Sequence, residues 1–220
     1  MSGGFPVDLI LFAMVAAFLV LRLRSVLGRR TGFERPAQPE AAAGPAPRAL
    51  EAEAPAPGLA GEARQIVPDA RSPAGRALRR IQEADPAFDP SGFLSGAEGA
   101  FRMIVEAFAA GDRETLRNLL SDDTYAGFEA AITEREQAGH SQRTEIRAVT
   151  EVAIENADLR GGTADVTVRF VSDQVNLTTD TTGQIVAGAD AVTELTDIWT
   201  FQRDLRAEDP TWRLVTTATG

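Results

Sequence analysis

The spacing of apolar residues changes near residue 140, and this change constrains the fold more than any other feature. Between residues 95 and 139, apolar side chains recur every three or four positions, the period of a helix with one buried face. Between residues 145 and 214 they alternate with polar ones, the period of a strand with one buried face. Helices followed by strands predict an α+β domain whose helices pack on one face of an antiparallel sheet.

Three helices are predicted in the first part of this domain. Each has a capping side chain before its first apolar residue, and two end at a glycine. The residues that bound them are Ser95 (in a capping box with Glu98) and Gly111 for the first helix, Asp112 for the second, and Ser121 or Asp122 and Gly139 for the third.

Four antiparallel strands follow. Turns are predicted at Gly161-Gly162 and at Asp180–Gly183. The third and fourth strands carry Trp199 and Trp212, the two tryptophans of the chain. Both are expected on the concave wall of the sheet, close to each other. There they either close the core or line a groove for an apolar peptide or acyl chain.

Charge and composition exclude several classes of function. The formal net charge of −10 divides into +4 over residues 1–80 and −14 over residues 81–220, and so acidic a body repels nucleic acid. The sequence has no cysteine, no lysine and one histidine, His140. These counts exclude thiolate and Schiff-base chemistry and a typical zinc site, so no cofactor and no metal are predicted.

Residues 5–27 are predicted to form a transmembrane anchor. Their centre is the uninterrupted apolar run Leu9–Leu21. Four arginines follow between residues 22 and 30, and no basic side chain precedes the run, which is the reverse of a signal peptide. By the positive-inside rule, the amino terminus lies outside and the remaining chain faces the cytoplasm.

Residues 28–80 are predicted to be a disordered linker and residues 81–220 the domain. Eight of the 12 prolines lie between residues 31 and 80, where large apolar side chains are few. A short amphipathic helix starting at Ser72-Pro73 has two interpretations. Either Leu78 and Ile81 rest on anionic lipid beside the arginines around them, or the segment only leads into the domain.

Three motifs follow one another between about Asp85 and Leu214. They are "FLSGAEGAFRMIVEAFAAGD", "LRNLLSDDTYAGFEAAITEREQAG" and "DIWTFQRD" followed by "DPTWRL". In this order they resemble the Tim44-like family, whose best-known member is the peripheral adaptor of the mitochondrial inner-membrane import translocase. The layout of the chain is similar to that of the family's bacterial TimA-type adaptors, which have an amino-terminal anchor.

The resemblance implies a nuclear-transport-factor-two-like cone, with three helices packed on a curved four-stranded antiparallel sheet around a hydrophobic cavity. It also implies an adaptor, not an enzyme, whose partners are client proteins or chaperones at the cytoplasmic face of the bacterial inner membrane. Two alternatives remain open: a small-molecule or lipid-binding cone related to isomerases, and a structural subunit of a membrane assembly.

Six residues are candidates for a pocket or a partner surface. An isomerase-like site needs a carboxyl group and a hydroxyl inside an apolar cone, and Asp197 and Tyr125 are the side chains of that kind. Arg203 shares the strand parity of Asp197 and is its predicted partner in an ion pair. His140 is expected in an exposed loop, outside any site. The six candidates are Tyr125, Phe128, Asp197, Trp199, Phe201 and Trp212.

Overall fold

The computed structural model describes residues 62–219. The predicted anchor, residues 5–27, and the predicted linker up to residue 61 lie outside the described residues. Among the helices of the described part, none is long and apolar enough to cross a membrane.

Residues 62–219 form four helices and a five-stranded sheet, so the predicted α+β class is confirmed. In chain order the elements are β1 (Arg64–Ile66), α1 (Pro73–Ala84), α2 (Pro90–Ala110), α3 (Arg113–Leu119), α4 (Asp122–Gln137), β2 (Ser141–Arg160), β3 (Thr163–Thr179), β4 (Ile185–Asp204) and β5 (Arg213–Thr219).

The sheet runs in the order β1-β2-β3-β4-β5. The last four strands form the predicted antiparallel meander, with turns at Gly161-Gly162 and before Ile185. The prediction of four strands was wrong by one, because β1 pairs with residues 151–153 of β2 in parallel. A strand of three residues is too short to show alternation in the sequence.

The amphipathic helix predicted to start at Ser72-Pro73 is confirmed as α1, but it is part of the domain, which therefore has four helices and not three. Ser72 caps α1 by accepting a hydrogen bond from the backbone N–H of Gly75, at 2.9 Å. Leu78 and Ile81 are 3% and 0% exposed and belong to the core, so they do not face lipid. The folded part therefore begins before the predicted boundary at residue 81, because α1 packs its apolar stripe against β2.

The predicted cap of α2 at Ser95 was wrong by six residues. The cap is Asp89, whose carboxylate accepts a hydrogen bond from the N–H of Gly92 at 2.6 Å, and Pro90 occupies the first helical position. Ser95 lies inside the helix, where its hydroxyl accepts a hydrogen bond from Gln65 of β1. The other predicted helix boundaries are confirmed: Gly111 ends α2, Asp112 caps α3, Ser121 caps α4, and Gly139 follows α4 with positive φ.

The core lies between the helices and one face of the sheet. On β3, alternate residues from Ala164 to Phe170 are fully buried. Phe101 of α2 stacks on Phe170 at 4.5 Å between ring centroids and lies 4.8 Å from Trp199 of β4. Helix α2 is thus held against the middle of the sheet, which leaves its amino-terminal half beside the end of β4.

Candidate functional site

An open groove of about 580 Å³ runs along the amino-terminal half of α2. The α1–α2 loop forms one end of it, and the residues at the end of β4 and before β5 form the opposite side. We call it the α2 groove. Three kinds of side chain line it: four aromatic rings, small residues on one face of α2, and one ion pair.

The aromatic wall consists of Phe88, Phe93, Phe201 and Trp212. The Trp212 ring lies 4.9 Å from Phe93 and 5.6 Å from Phe88, measured between centroids. Phe93 meets Phe201 edge to face at 6.1 Å. These contacts fix four rings against one another, so they present a rigid apolar surface to whatever enters the groove.

The local sequence explains how two of these rings are placed. Asp89 is the N-cap of α2, so Phe88 is the residue before the cap and Phe93 is the fourth residue of the helix. Apolar residues at these two positions pack together and fix the direction in which the chain enters a helix. Their centroids are 5.7 Å apart.

The α2 side of the groove is built from small residues. Gly92, Gly96 and Ala100 follow one another at helical spacing, and Met103 continues the same face with 48% of its surface exposed. A methyl group added at Gly96 would meet no atom within 4 Å. The groove therefore has room for a side chain directly over the helix backbone.

An ion pair marks the polar side of the groove. The Arg203 guanidinium donates a hydrogen bond from Nη1 to Asp85 Oδ2 at 2.8 Å, and both side chains are less than one-fifth exposed. The neighbouring Nε of Arg203 is buried and has no acceptor within the described residues. The two charges of the pair cancel, so the polar side of the groove carries no net charge from these residues.

The two tryptophans are not neighbours. Trp199 is 5% exposed and packs in the core against Phe101 and Phe170, with Thr217 opposite it on β5. Trp212 precedes the first residue of β5, packs against the edge of the same core and lines the α2 groove. Both indoles thus lie on the side of the sheet that faces the core, as expected. The expectation that they lie close together was wrong, because the ladder between β4 and β5 ends before Trp212.

Of the other candidate residues, only Phe201 lines the groove. Tyr125 is buried in the core, where its hydroxyl donates to Glu129 of the same helix at 3.1 Å and the Arg117 guanidinium lies over its ring. Phe128 packs against Phe108 of α2. Neither residue belongs to the groove lining.

Asp197 lies elsewhere on the inner face of the sheet, half-buried between Phe170 of β3 and Thr219 of β5. Burial raises the pKa of its carboxyl group to about 6. The predicted ion pair with Arg203 was wrong, because Arg203 reaches Asp85 instead. His140 lies in the turn between α4 and β2, and within residues 62–219 no group of three ligating side chains could hold a metal ion.

Sequence reasoning missed most of the groove. Phe88 and Phe93 could have been found from the spacing of a hydrophobic staple around Asp89-Pro90. Nothing in the sequence around Met103 indicates the groove. The ion pair between Asp85 and Arg203 could not be found from local patterns either, because 118 residues separate its two partners.

The α2 groove lies within a region that matches a known family. A family model described as the Tim44-like domain matches residues 74–219. Mitochondrial import inner membrane translocase subunit TIM44-1 of Arabidopsis thaliana is 22% identical over 143 residues. The match covers 62% of this chain and 30% of the relative, so it spans less than one-third of that protein.

Two solved structures share a partial likeness in fold. The intermembrane space region of the chloroplast protein ARC6 matches with a TM-score of 0.42 and 12% identity, over 57% of this chain and 94% of that one. A conserved protein from Planctomyces limnophilus matches with a TM-score of 0.31 and 17% identity, over 56% and 94% of the two chains.

The family model spans everything from α1 to β5 that builds the core and the groove. It covers well over half of the sequence and includes the whole range, from about Asp85 to Leu214, on which the resemblance rested. This chain belongs to the Tim44-like family.

Proposed function

We propose that this protein is a membrane-anchored adaptor that binds client proteins or chaperones through the α2 groove. The observation that carries the proposal is the groove itself: a rigid aromatic wall beside an open, small-residue helix face. Aromatic side chains that line such pockets supply much of the binding energy in protein interfaces. The relative from Arabidopsis thaliana is named as a subunit of an import translocase, which supports a role in protein transport.

The proposal places the protein in the bacterial inner membrane with a single span. Its anchor is residues 5–27, its amino terminus lies outside, and the Tim44-like domain is cytoplasmic. The support is the sequence pattern, in which the arginines of residues 22–30 follow the apolar run. We take the domain to be a nuclear-transport-factor-two-like cone, supported by four helices on one face of the sheet within residues 62–219.

The chemistry of the groove favours a peptide over a fatty acid. The charge of Arg203 is already balanced by Asp85 at 2.8 Å. A neutral peptide backbone can lie beside this balanced pair at little electrostatic cost. A ligand carboxylate would stand close to the Asp85 carboxylate and be repelled. We therefore expect an apolar side chain in the groove, with the peptide backbone near Arg203.

Two of the three glycines of α2, Gly96 and Gly99, provide a matched test. Gly96 lines the groove and Gly99 does not, yet an added Cβ has open space at both positions. Leucine is the better helix former by roughly 0.5–1 kcal/mol, so neither Gly96→Leu nor Gly99→Leu should lower the melting temperature. Gly96→Leu should fill the groove and reduce partner capture at least about tenfold, while Gly99→Leu should leave capture unchanged.

The measurement is affinity capture of the full-length chain from unwashed membranes in mild detergent, with quantitative mass spectrometry, and a carbonate wash of a separate sample tests the anchor. Equal capture by Gly96→Leu and Gly99→Leu would move the partner surface away from the groove. Loss of the chain itself in the carbonate wash would contradict the anchor. Recovery of partners from outside the cytoplasm would contradict the proposed orientation.

A further inference from the structure

The amino-terminal part of strand β4 forms a free edge of the sheet within the described residues. Strand β5 pairs with residues 197–202 of β4 and leaves residues 185–196 without a partner on that side, as far as residues 62–219 describe the sheet. An unpaired edge presents backbone N–H and C=O groups that can accept another strand. We propose that this β4 edge binds an extended, positively charged strand of a protein partner. This surface is separate from the α2 groove and does not depend on it.

Exposed apolar side chains accompany the free backbone groups. Ile185, Val186 and Val192 are 54%, 47% and 58% exposed. They are three of the five large apolar residues that are exposed within residues 62–219, which concentrates this kind of surface on one strand. A strand that pairs with the edge would cover such side chains as well as satisfy the backbone.

Charge decides which kind of strand fits. Residues 185–196 contain two carboxylates, Asp190 and Glu194, and no basic side chain. Asp190 lies 3.5 Å from Arg143 of β2, whereas Glu194 is exposed and makes no ion pair within the described residues. Arginine or lysine on a partner strand would pair with Glu194 across the ladder.

The same charges disfavour a second copy of this chain. Two β4 edges paired with each other would bring four carboxylates together, and like charges on paired strands are destabilising. The occupant we propose is therefore a cationic segment of a different protein.

A bulge limits the length of the paired strand. Thr193 pairs with Gln174 and Ala189 with Asn176, so three residues of β4 lie opposite one residue of β3. Such a bulge interrupts the ladder and bends the edge. A second shift leaves Val186 extra, because Thr178 pairs with Ala187 and Thr179 with Ile185. The continuous parts of the free edge are therefore residues 187–189 and 193–196, so each pairing should involve about three or four residues.

The test uses the full-length chain in non-ionic detergent and a fluorescent nine-residue peptide of alternating arginine and valine or threonine. The control peptide carries glutamate in place of every arginine. We expect the cationic peptide to bind at low salt and to slow amide hydrogen exchange of residues 185–196. The control peptide should not bind. Glu194→Lys should weaken binding about fivefold, because it removes an attraction and adds a repulsion.

Glu208→Lys is the matched control variant, since Glu208 is equally an exposed glutamate but lies in the turn between β4 and β5. It should leave the affinity unchanged, as should Gly96→Leu in the α2 groove. Equal weakening by Glu194→Lys and Glu208→Lys would reduce the effect to net charge and overturn the proposal. So would equal binding of the acidic peptide, unchanged exchange at residues 185–196, or a concentration-dependent dimer that protects these amides without peptide.

Discussion

The carboxyl group of Asp197 makes the stability of the domain depend on pH. Burial raises its pKa from 3.8 to about 6, so the folded state binds this proton more tightly than the unfolded state does. The stabilisation from the bound proton is complete below about pH 4 and is lost as the pH rises through 6. At neutral pH the folded protein therefore holds a half-buried carboxylate at a cost in free energy.

We expect Asp197→Asn to raise the free energy of unfolding at pH 7 by about 1 kcal/mol. This is less than the free energy that corresponds to the full pKa shift, because solvent reaches the side chain and screens its charge. The gain should vanish near pH 4. Asp209→Asn is the control, because hydrogen bonds from Thr211 lower the pKa of the exposed Asp209 carboxyl. Thermal unfolding followed by tryptophan fluorescence measures both, since Trp199 and Trp212 lie in the described domain. A pH-independent gain for Asp197→Asn would contradict the assignment.

At the scale of residues, the sequence predicts whether a side chain is buried better than it predicts which residue that side chain contacts. Alternation placed Trp199 and Phe201 correctly on the buried face of β4, because strand parity depends only on neighbours in the chain. The position of Trp212 and the partner of Arg203 depend on where the β4–β5 ladder ends and on how α1 meets α2. Those are contacts between distant segments, which periodicity does not report.

At the scale of elements, helix α1 determines where the domain begins. Ala77, Leu78 and Ile81 are each at most 3% exposed, and they lie on the face of α1 that packs on β2. The apolar spacing was visible in the sequence, but proline- and alanine-rich neighbours favoured a linker. The burial of this helix depends on β2, whose first residue lies more than 55 positions after the end of α1.

Leu78→Ala should lower the free energy of unfolding by about 2–5 kcal/mol, because it leaves a cavity between α1 and β2. Arg79→Ala changes an exposed neighbour on the same helix and should cost less than about 0.5 kcal/mol. Chemical denaturation of both variants measures the difference. Equal stability of the two variants would mean that α1 is not part of the folded unit.

At the scale of the whole molecule, charge is divided along the chain. The first 80 residues carry a formal charge of +4 and residues 81–220 carry −14. In the proposed adaptor, the positive segment stays close to an anionic membrane surface while the acidic domain is repelled from it. The domain would then present the α2 groove and the β4 edge to proteins in the cytoplasm.

Residue-specific photo-crosslinking tests the central claim, that the α2 groove binds a protein, most directly. A photoreactive phenylalanine analogue replaces Met103, which lines the groove, or Val67, an apolar residue of similar exposure that does not line it. In cells that express the full-length chain, we predict protein adducts at position 103 that Gly96→Leu abolishes, and none at position 67. Adducts at position 103 with lipid alone, or protein adducts that survive Gly96→Leu, would contradict the account.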